Sequence, residues 1–371
     1  MTSKKVHIIR TILIVINIII ILGYLLTSLV PFVNTGKYWF IAFLGLGFPI
    51  TAFALLIFII IWAIYRSKWA WISLLAFLIG FKQLNAAFAF HFPKAFAKEK
   101  PLKTIRILQY NVAGEETVRE ARIDNKKVQI AHALNFIKKS NADVLTFQEF
   151  YTSFTDKNSI VDIIDSLGYP YHYLSKKAEN NKKKYVGLAI FSKFPIVNNA
   201  TVSYNRAELN QLLIYADIKV DGKIFRIFTT HLESVGIDRA DYKDTDVDNY
   251  GKSTEMKVDK SVAGKLKRAY ESRYEQSKIA RKQIDESPYP VIFCGDFNDV
   301  PNSNTYFTIK GNLQDAFLKK GSFVGKTFRY ISPTLRIDYI LGDPYFNVTQ
   351  FRIPGITFSD HFPIIADFQY P

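Results

Sequence analysis

Residues 295–303 read GDFNDVPNS and follow directly on the apolar run VIFC at residues 291–294. Four apolar residues running into Gly-Asp describe a buried strand that opens into a polar loop. Two further stretches have the same character. RIDYIL at 336–341 places Asp338 at the mouth of a β-like run, and SDHFPI at 359–364 sets Asp360 and His361 just before IIADF at 364–368. A D-x-N after a strand is ordinary turn chemistry when it stands alone. Three such junctions in one chain ask for a common explanation.

Working back toward the N-terminus, the pattern recurs. TIRILQY at 104–110 ends at Asn111, VLTF at 144–147 runs into Gln148 and Glu149, and a hairpin signal ends in TTHLES around His231. That hairpin is two β-rich runs, 212–220 and 224–229, flanking Asp221-Gly222. GLAIF at 187–191 reads as a further buried strand, and apolar residues at Val128, Ala131, Leu134 and Ile137 mark a helix. A longer helix is expected over 261–286. Hairpins mixed with helices point to an α+β layered fold rather than a doubly wound parallel sheet. Asn111, Glu149, His231, Asp296 with Asn298, Asp338, and Asp360 with His361 all lie at strand ends, where catalytic groups gather on a rigid scaffold.

Carboxylates, amides and imidazoles with no thiolate favour a hard cation such as Mg²⁺, Mn²⁺ or Ca²⁺. The one cysteine, Cys294, lies inside VIFC and reads as a core residue, so an intrachain disulfide and a Cys-based zinc site are excluded. No G-x-S-x-G, H-E-x-x-H or phosphate-loop motif competes. A formal net charge of +15 suits polyanionic partners such as nucleic acid or phospholipid headgroups.

QYNV, FQEF, GLAIFSKFPI, TTHLES, RYEQ at 273–276, GDFNDVPNS, RIDYIL and SDHFPI occur in an order that resembles the endonuclease/exonuclease/phosphatase superfamily over 104–368. The resemblance implies a four-layer α/β sandwich and a metal-dependent phosphoester hydrolase, most readily a phosphodiesterase or nuclease. A sphingomyelinase-like lipid phosphodiesterase is the alternative, and a non-catalytic membrane binding module is a third reading. It implies that Glu149, with Asn111 and Asp360 beside it, holds Mg²⁺ (or Mn²⁺). Asp296 would activate water, and Asn298, Asn111 and His231 would hold phosphate or help the leaving group. His361 would contact phosphate, with Asp338 fixing its tautomer. Ala113 replaces an acidic residue that some members carry, which favours one metal. Asp244, Asp246, Asp248 and Glu255 have the spacing of a calcium loop, but Asn249 stands where that loop needs Gly.

The first ninety residues are of another kind. Runs at 11–30 and 38–64 carry no charge and are long enough to cross a bilayer, and a third at 69–92 does so only if Lys82 and Gln83 are accommodated. Residues 1–92 are thus expected to be a membrane anchor, 93–103 a linker, and 104–371 the catalytic domain, with no obligate protein partner. Lys4, Lys5, Arg10, Arg66 and Lys68 against a lone Lys37 put the N-terminus and the Arg66 loop on the cytoplasmic side of a bacterial-type inner or plasma membrane. With three spans the catalytic domain lies outside, and with two it stays inside.

Overall fold

The computed structural model describes residues 3–114, 123–154, 159–175, 184–204, 212–236, 260–330, 332–357 and 359–371. Two six-stranded mixed sheets pack face to face. The first contains β1 (Thr104–Asn111), β2 (Val144–Ser153), β3 (Tyr171–Leu174), β4 (Lys184–Ser192), β11 (Asn347–Arg352) and β12 (Ile364–Gln369), in the order β11-β12-β1-β2-β4-β3. The second contains β5 (Ile196–Ser203), β6 (Leu212–Val220), β7 (Lys223–His231), β8 (Val291–Asp296), β9 (Gln314–Asp315) and β10 (Asp338–Gly342), in the order β5-β6-β7-β8-β10-β9. Helices Ile123–Ser140 and Ile160–Ser166 cover one outer face; Lys260–Asp285 and Asn304–Lys310 cover the other. This is the expected α+β four-layer sandwich.

The period-two alternation of strands sorts each residue into a layer. Ile105, Ile107, Val144, Phe225, Ile227, Ile292, Cys294 and Ile340 face the space between the sheets. Leu108, Tyr110, Leu145 and Phe147 face the first helical layer, and Phe228, Phe293, Tyr339 and Leu341 the second. Asp221 and Gly222 have φ of 48° and 79°, the left-handed pair that a tight hairpin turn between β6 and β7 requires.

The N-terminal helices are α1 (Ser3–Leu29), α2 (Trp39–Leu44), α3 (Phe48–Ile64), α4 (Trp69–Ile79) and α5 (Phe81–Ala87). Two stretches, Lys5–Phe32 and Trp39–Ile64, are long and apolar enough to cross a membrane. The third is a helix pair, α4 and α5, bent by 62°. The break falls at Gly80, where a Cβ would lie 2.3 Å from the Tyr24 hydroxyl oxygen, so only glycine lets α4 lie this close to α1. Helix ends at Ala87, and the expected continuation to residue 92 is extended chain. Both doubtful polar residues have partners: Gln83 donates to the Ser28 carbonyl at 2.9 Å, and Lys82 lies over the rings of Phe32 and Phe307. Ser73 meets Asn17, Phe77 meets Tyr24 and Gln83 meets Ser28, so α1 and α4–α5 run in the same direction. Lys5, Arg10, Arg66 and Lys68 therefore gather at the end of the bundle away from the sandwich.

The sandwich is seated on that bundle. Asn302 and Asn304 donate to the carbonyls of Thr27 and Pro31, which a helix end leaves without intrahelical partners. Arg336, buried and paired with Asp315 at 2.7 Å, also donates to the Ala86 carbonyl. Residues 94–103 are pinned as well: Arg106 donates to the carbonyls of Ala97 and Lys98, and Phe96 stacks on Arg106 and Arg352.

Candidate functional site

The inter-sheet face changes character at one end. Along β1 the inward positions run Ile105, Ile107, Gln109, Asn111; along β7 they run Phe225, Ile227, Thr229, His231; along β8 they run Ile292, Cys294, Asp296. Each strand becomes polar in its last positions without changing phase. Register then aligns the polar ends. His231 pairs with Asp296 across parallel β7 and β8, and Asp338 pairs with Asp296 across antiparallel β8 and β10. On the facing sheet Asn111 pairs with Gln148.

Glu149 reaches the site by a different device. Between Phe147 and Phe150 the pairing of β2 with β4 slips by one residue, and Glu149 has a φ of 52°. Without this bulge Glu149 would share the outward phase of Leu145 and Phe147. The extra residue turns its carboxylate toward Asn111 and His231 while returning Phe150 to the outer core, stacked on Phe147.

Asp296 is the hub. Its Oδ2 accepts from Asn111 Nδ2 at 3.0 Å and lies 3.6 Å from Nε2 of both His231 and His361. Its Oδ1 accepts from the Asn298 backbone N–H at 2.8 Å. Asn111 Nδ2 also faces Glu149 Oε1 at 3.3 Å, and His231 Nε2 stands 3.8 Å from the same oxygen. His361 Nδ1 is 2.9 Å from Asp338 Oδ2, and Asp338 Oδ1 accepts from Gln109 at 3.0 Å. Asn298, at φ 50°, donates its amide to the Leu232 carbonyl and so ties the His231 loop to the Asp296 loop. Asp360 accepts from the Ser359 hydroxyl, which also bonds the Asn111 carbonyl.

Burial sets the electrostatics. Desolvation raises the Asp296 carboxyl, opposed by the charges of His361 and His231. For His361, burial disfavours the charged ring, but Asp338 and Asp296 outweigh it and lift the imidazolium to about 10. Asp338 thus orients the His361 ring through Nδ1 and, with Asp296, favours its protonated form.

Two places suit a cation. Asp296, Asp338 and His361 offer one ligand atom each within 4.8 Å of one another. Their atoms are already committed: Asp338 to His361 and Gln109, Asp296 to Asn111 and Asn298. Glu149 is different: its side chain is 37% exposed, and its contacts to Asn111 and His231 are long, 3.3 and 3.8 Å. An open carboxylate fits a hard divalent cation; the Asn111 amide meets it through Nδ2, while its Oδ1 accepts from the Ala113 N–H at 3.1 Å. The trio is held together by the His361–Asp338 hydrogen bond, and Glu149 offers a more open carboxylate that could hold a metal.

Reading strand ends from the sequence brought out Asn111, Glu149, His231, Asp296, Asn298, Asp338 and His361, and the fold brings these into one network. It left out the buried supports Gln109, Gln148, Thr229 and Thr327. Gln148 donates to Thr229 across the two sheets, and Thr327 accepts from the Asp338 N–H. For Gln109, Gln148 and Thr229 the signal was a polar side chain on the inward phase of an apolar strand; Thr327 lies in a loop and carries no such signal. Arg273 was missed too: it donates to the Glu233 carbonyl and faces Asp299 at 3.5 Å, while Gln276 accepts from the Glu233 N–H. His172 pairs loosely with Asp165 on the outer side. The calcium-like Asp244, Asp246, Asp248 and Glu255 lie outside the described residues.

Comparison with known proteins follows the same lines. The catalytic domain of human nocturnin, solved with a bound sulfate, aligns with a TM-score of 0.50 at 21% identity over 72% of this chain and 94% of that one. An endonuclease/exonuclease/phosphatase family protein from Bacteroides thetaiotaomicron aligns at 0.52 and 18% identity over 74% of this chain and all of that one. A Bacteroides vulgatus member aligns at 0.52 and 19% identity over 72% and 99%. These likenesses show the fold. No curated protein matches the sequence. Residues 10–87 match a family described as a domain of unknown function. Residues 108–361 match the model of the endonuclease/exonuclease/phosphatase family, and the chain belongs to that family.

Proposed function

We propose that this protein is a membrane-anchored, divalent-metal-dependent phosphodiester hydrolase, with residues 1–92 as anchor, 93–103 as connector and 104–371 as catalytic domain. The observation that carries it is the single network joining Asp296, His361, Asp338, His231, Asn111 and Glu149 at one end of the sandwich. Glu149 and Asn111 hold Mg²⁺ or Mn²⁺, with Asp360 as a further acidic group close by. When bound, the cation supplies charge that offsets the phosphate oxygens.

The chain's own groups account for the rest. Asp296 is buried, has a raised pKa and accepts a proton from an attacking water. The water oxygen bonds to phosphorus as the bond to the leaving oxygen breaks. His361 stays positive and donates to a phosphate oxygen, while Asp338 holds its ring. His231, 24% exposed, delivers a proton to the leaving oxygen. Asn298 fixes the loop spacing and presents its remaining amide hydrogen to phosphate.

Seating of the sandwich on the bundle supports a second reading, a lipid headgroup as the phosphodiester, against nucleic acid as the first. The basic residues at the far end of the bundle support the reading in which that end is the inner one and the catalytic domain is outside. The test is product release by the full chain in nanodiscs, assayed on plasmid DNA, RNA and sphingomyelin with Mg²⁺. Cleavage of one class, abolished in Asp296→Ala, supports hydrolysis and selects the substrate. Undiminished turnover in both Asp296→Ala and His361→Ala removes the assignment.

A further inference from the structure

Directly after α5 the chain carries a row of aromatic residues that the sandwich does not cover. Phe88 packs on the core of the helical bundle, and alternation along the extended segment puts Phe90 and Phe92 on the same side, at 67% and 87% exposure. The segment is not loose. Ala89 exchanges two backbone hydrogen bonds with Phe323, at 2.8 Å each, and His91 Nε2 meets the Leu318 carbonyl at 3.1 Å. Phe323 is itself 60% exposed and has a φ of 60°. A bulky side chain in the left-handed region is strained, and the two bonds to Ala89 hold it there with its ring outward. Lys94, Lys319 and Lys320 stand exposed on the same two segments.

Water-exposed rings in a soluble surface are singly scattered; these lie on two hydrogen-bonded segments that adjoin the end of a bundle that itself exposes apolar residues. Aromatic rings flanked by lysine suit the boundary between hydrocarbon and headgroups, where the ring is buried and the ammonium stays among phosphates.

We infer that Phe90, Phe92 and Phe323 insert into the interfacial layer of the membrane crossed by the N-terminal helices, with Lys94, Lys319 and Lys320 on anionic headgroups. The inference rests on those helices spanning the bilayer, and it makes the sandwich a surface-lying domain rather than one held clear of the lipid. The partner is the protein's own bilayer.

The test uses the full chain in vesicles of phosphatidylcholine, with or without phosphatidylglycerol. Spin labels are placed at Phe323→Cys, Phe92→Cys, Val197→Cys and Ile19→Cys. Native Cys294 is fully buried and does not compete. Oxygen and a water-soluble nickel complex report depth, with no dependence on hydrolysis. Labels at 323 and 92 should favour oxygen at headgroup depth, deeper with phosphatidylglycerol and shallower again in Lys319→Glu/Lys320→Glu. Val197 lies on the outer strand β5 and should read as water, and Ile19 as deep hydrocarbon. Water-like labels at 323 and 92 with a deep label at 19 overturn the inference while leaving the spans intact. Labels shielded from both reagents indicate a protein partner and overturn it too. A water-like label at 19 removes the spanning reading on which it rests.

Discussion

At the scale of single residues, the chemistry turns on Asp296 and the His361 ring it shares with Asp338. Asp296→Ala removes the proton acceptor and should lower kcat/KM by roughly 10³-fold, the range expected of a positioned general base. Circular dichroism should show the fold unchanged. His361 acts while charged, so activity should fall as pH rises toward its raised pKa of about 10. Asp338 is the first of the charges that raise it, and Asp338→Asn should move the alkaline limb of the pH–rate profile to lower pH. A limb that stays in place would separate His361 from the reaction. Cys294 supplies a contrasting case, since burial pushes its thiol up to about 12 and it should resist maleimide until the protein unfolds.

At the scale of elements, strand phase explains both what the sequence revealed and what it hid. Asp296 follows Ile292 and Cys294 at a spacing of two, and His231 follows Ile227 and Thr229, so their inward placement could be read from alternation alone. Glu149 could not be placed that way. Its orientation depends on a bulge, and nothing in FQEF separates a bulged strand from a regular one. Strands β3, β5, β9 and β11 also went unread; they are short or partly exposed, and their apolar pattern is weak. Close approach of β7 and β8 is a further element-level feature. A Cβ on Gly295 would lie 2.5 Å from the Thr230 carbonyl oxygen. Gly295→Ala should push the two strands apart, cost about 1–3 kcal/mol of stability, and misalign His231 with Asp296. Thermal melting and kcat should fall together, and a variant of native stability and activity would contradict the packing.

At the scale of the whole molecule, the composition divided the chain near residue 92, but the structure does not leave the parts independent. The α5 carbonyl at Ala86 receives buried Arg336, and the carbonyls of Ala97 and Lys98 receive Arg106. No composition signal marks such contacts, because they run through backbone oxygens at long sequence separation. A fragment beginning at residue 100 should therefore melt several degrees below one beginning at residue 85, and equal midpoints would show that the connector adds nothing. For the same reason the most direct test of the central claim uses the intact chain. Purified full-length protein in nanodiscs would be assayed on bis(p-nitrophenyl) phosphate with Mg²⁺, with chelator, and as the Glu149→Gln variant. Nitrophenol release should require the cation and fall to background in the variant. Release that persists with chelator, or that Glu149→Gln leaves unchanged, would contradict the claim.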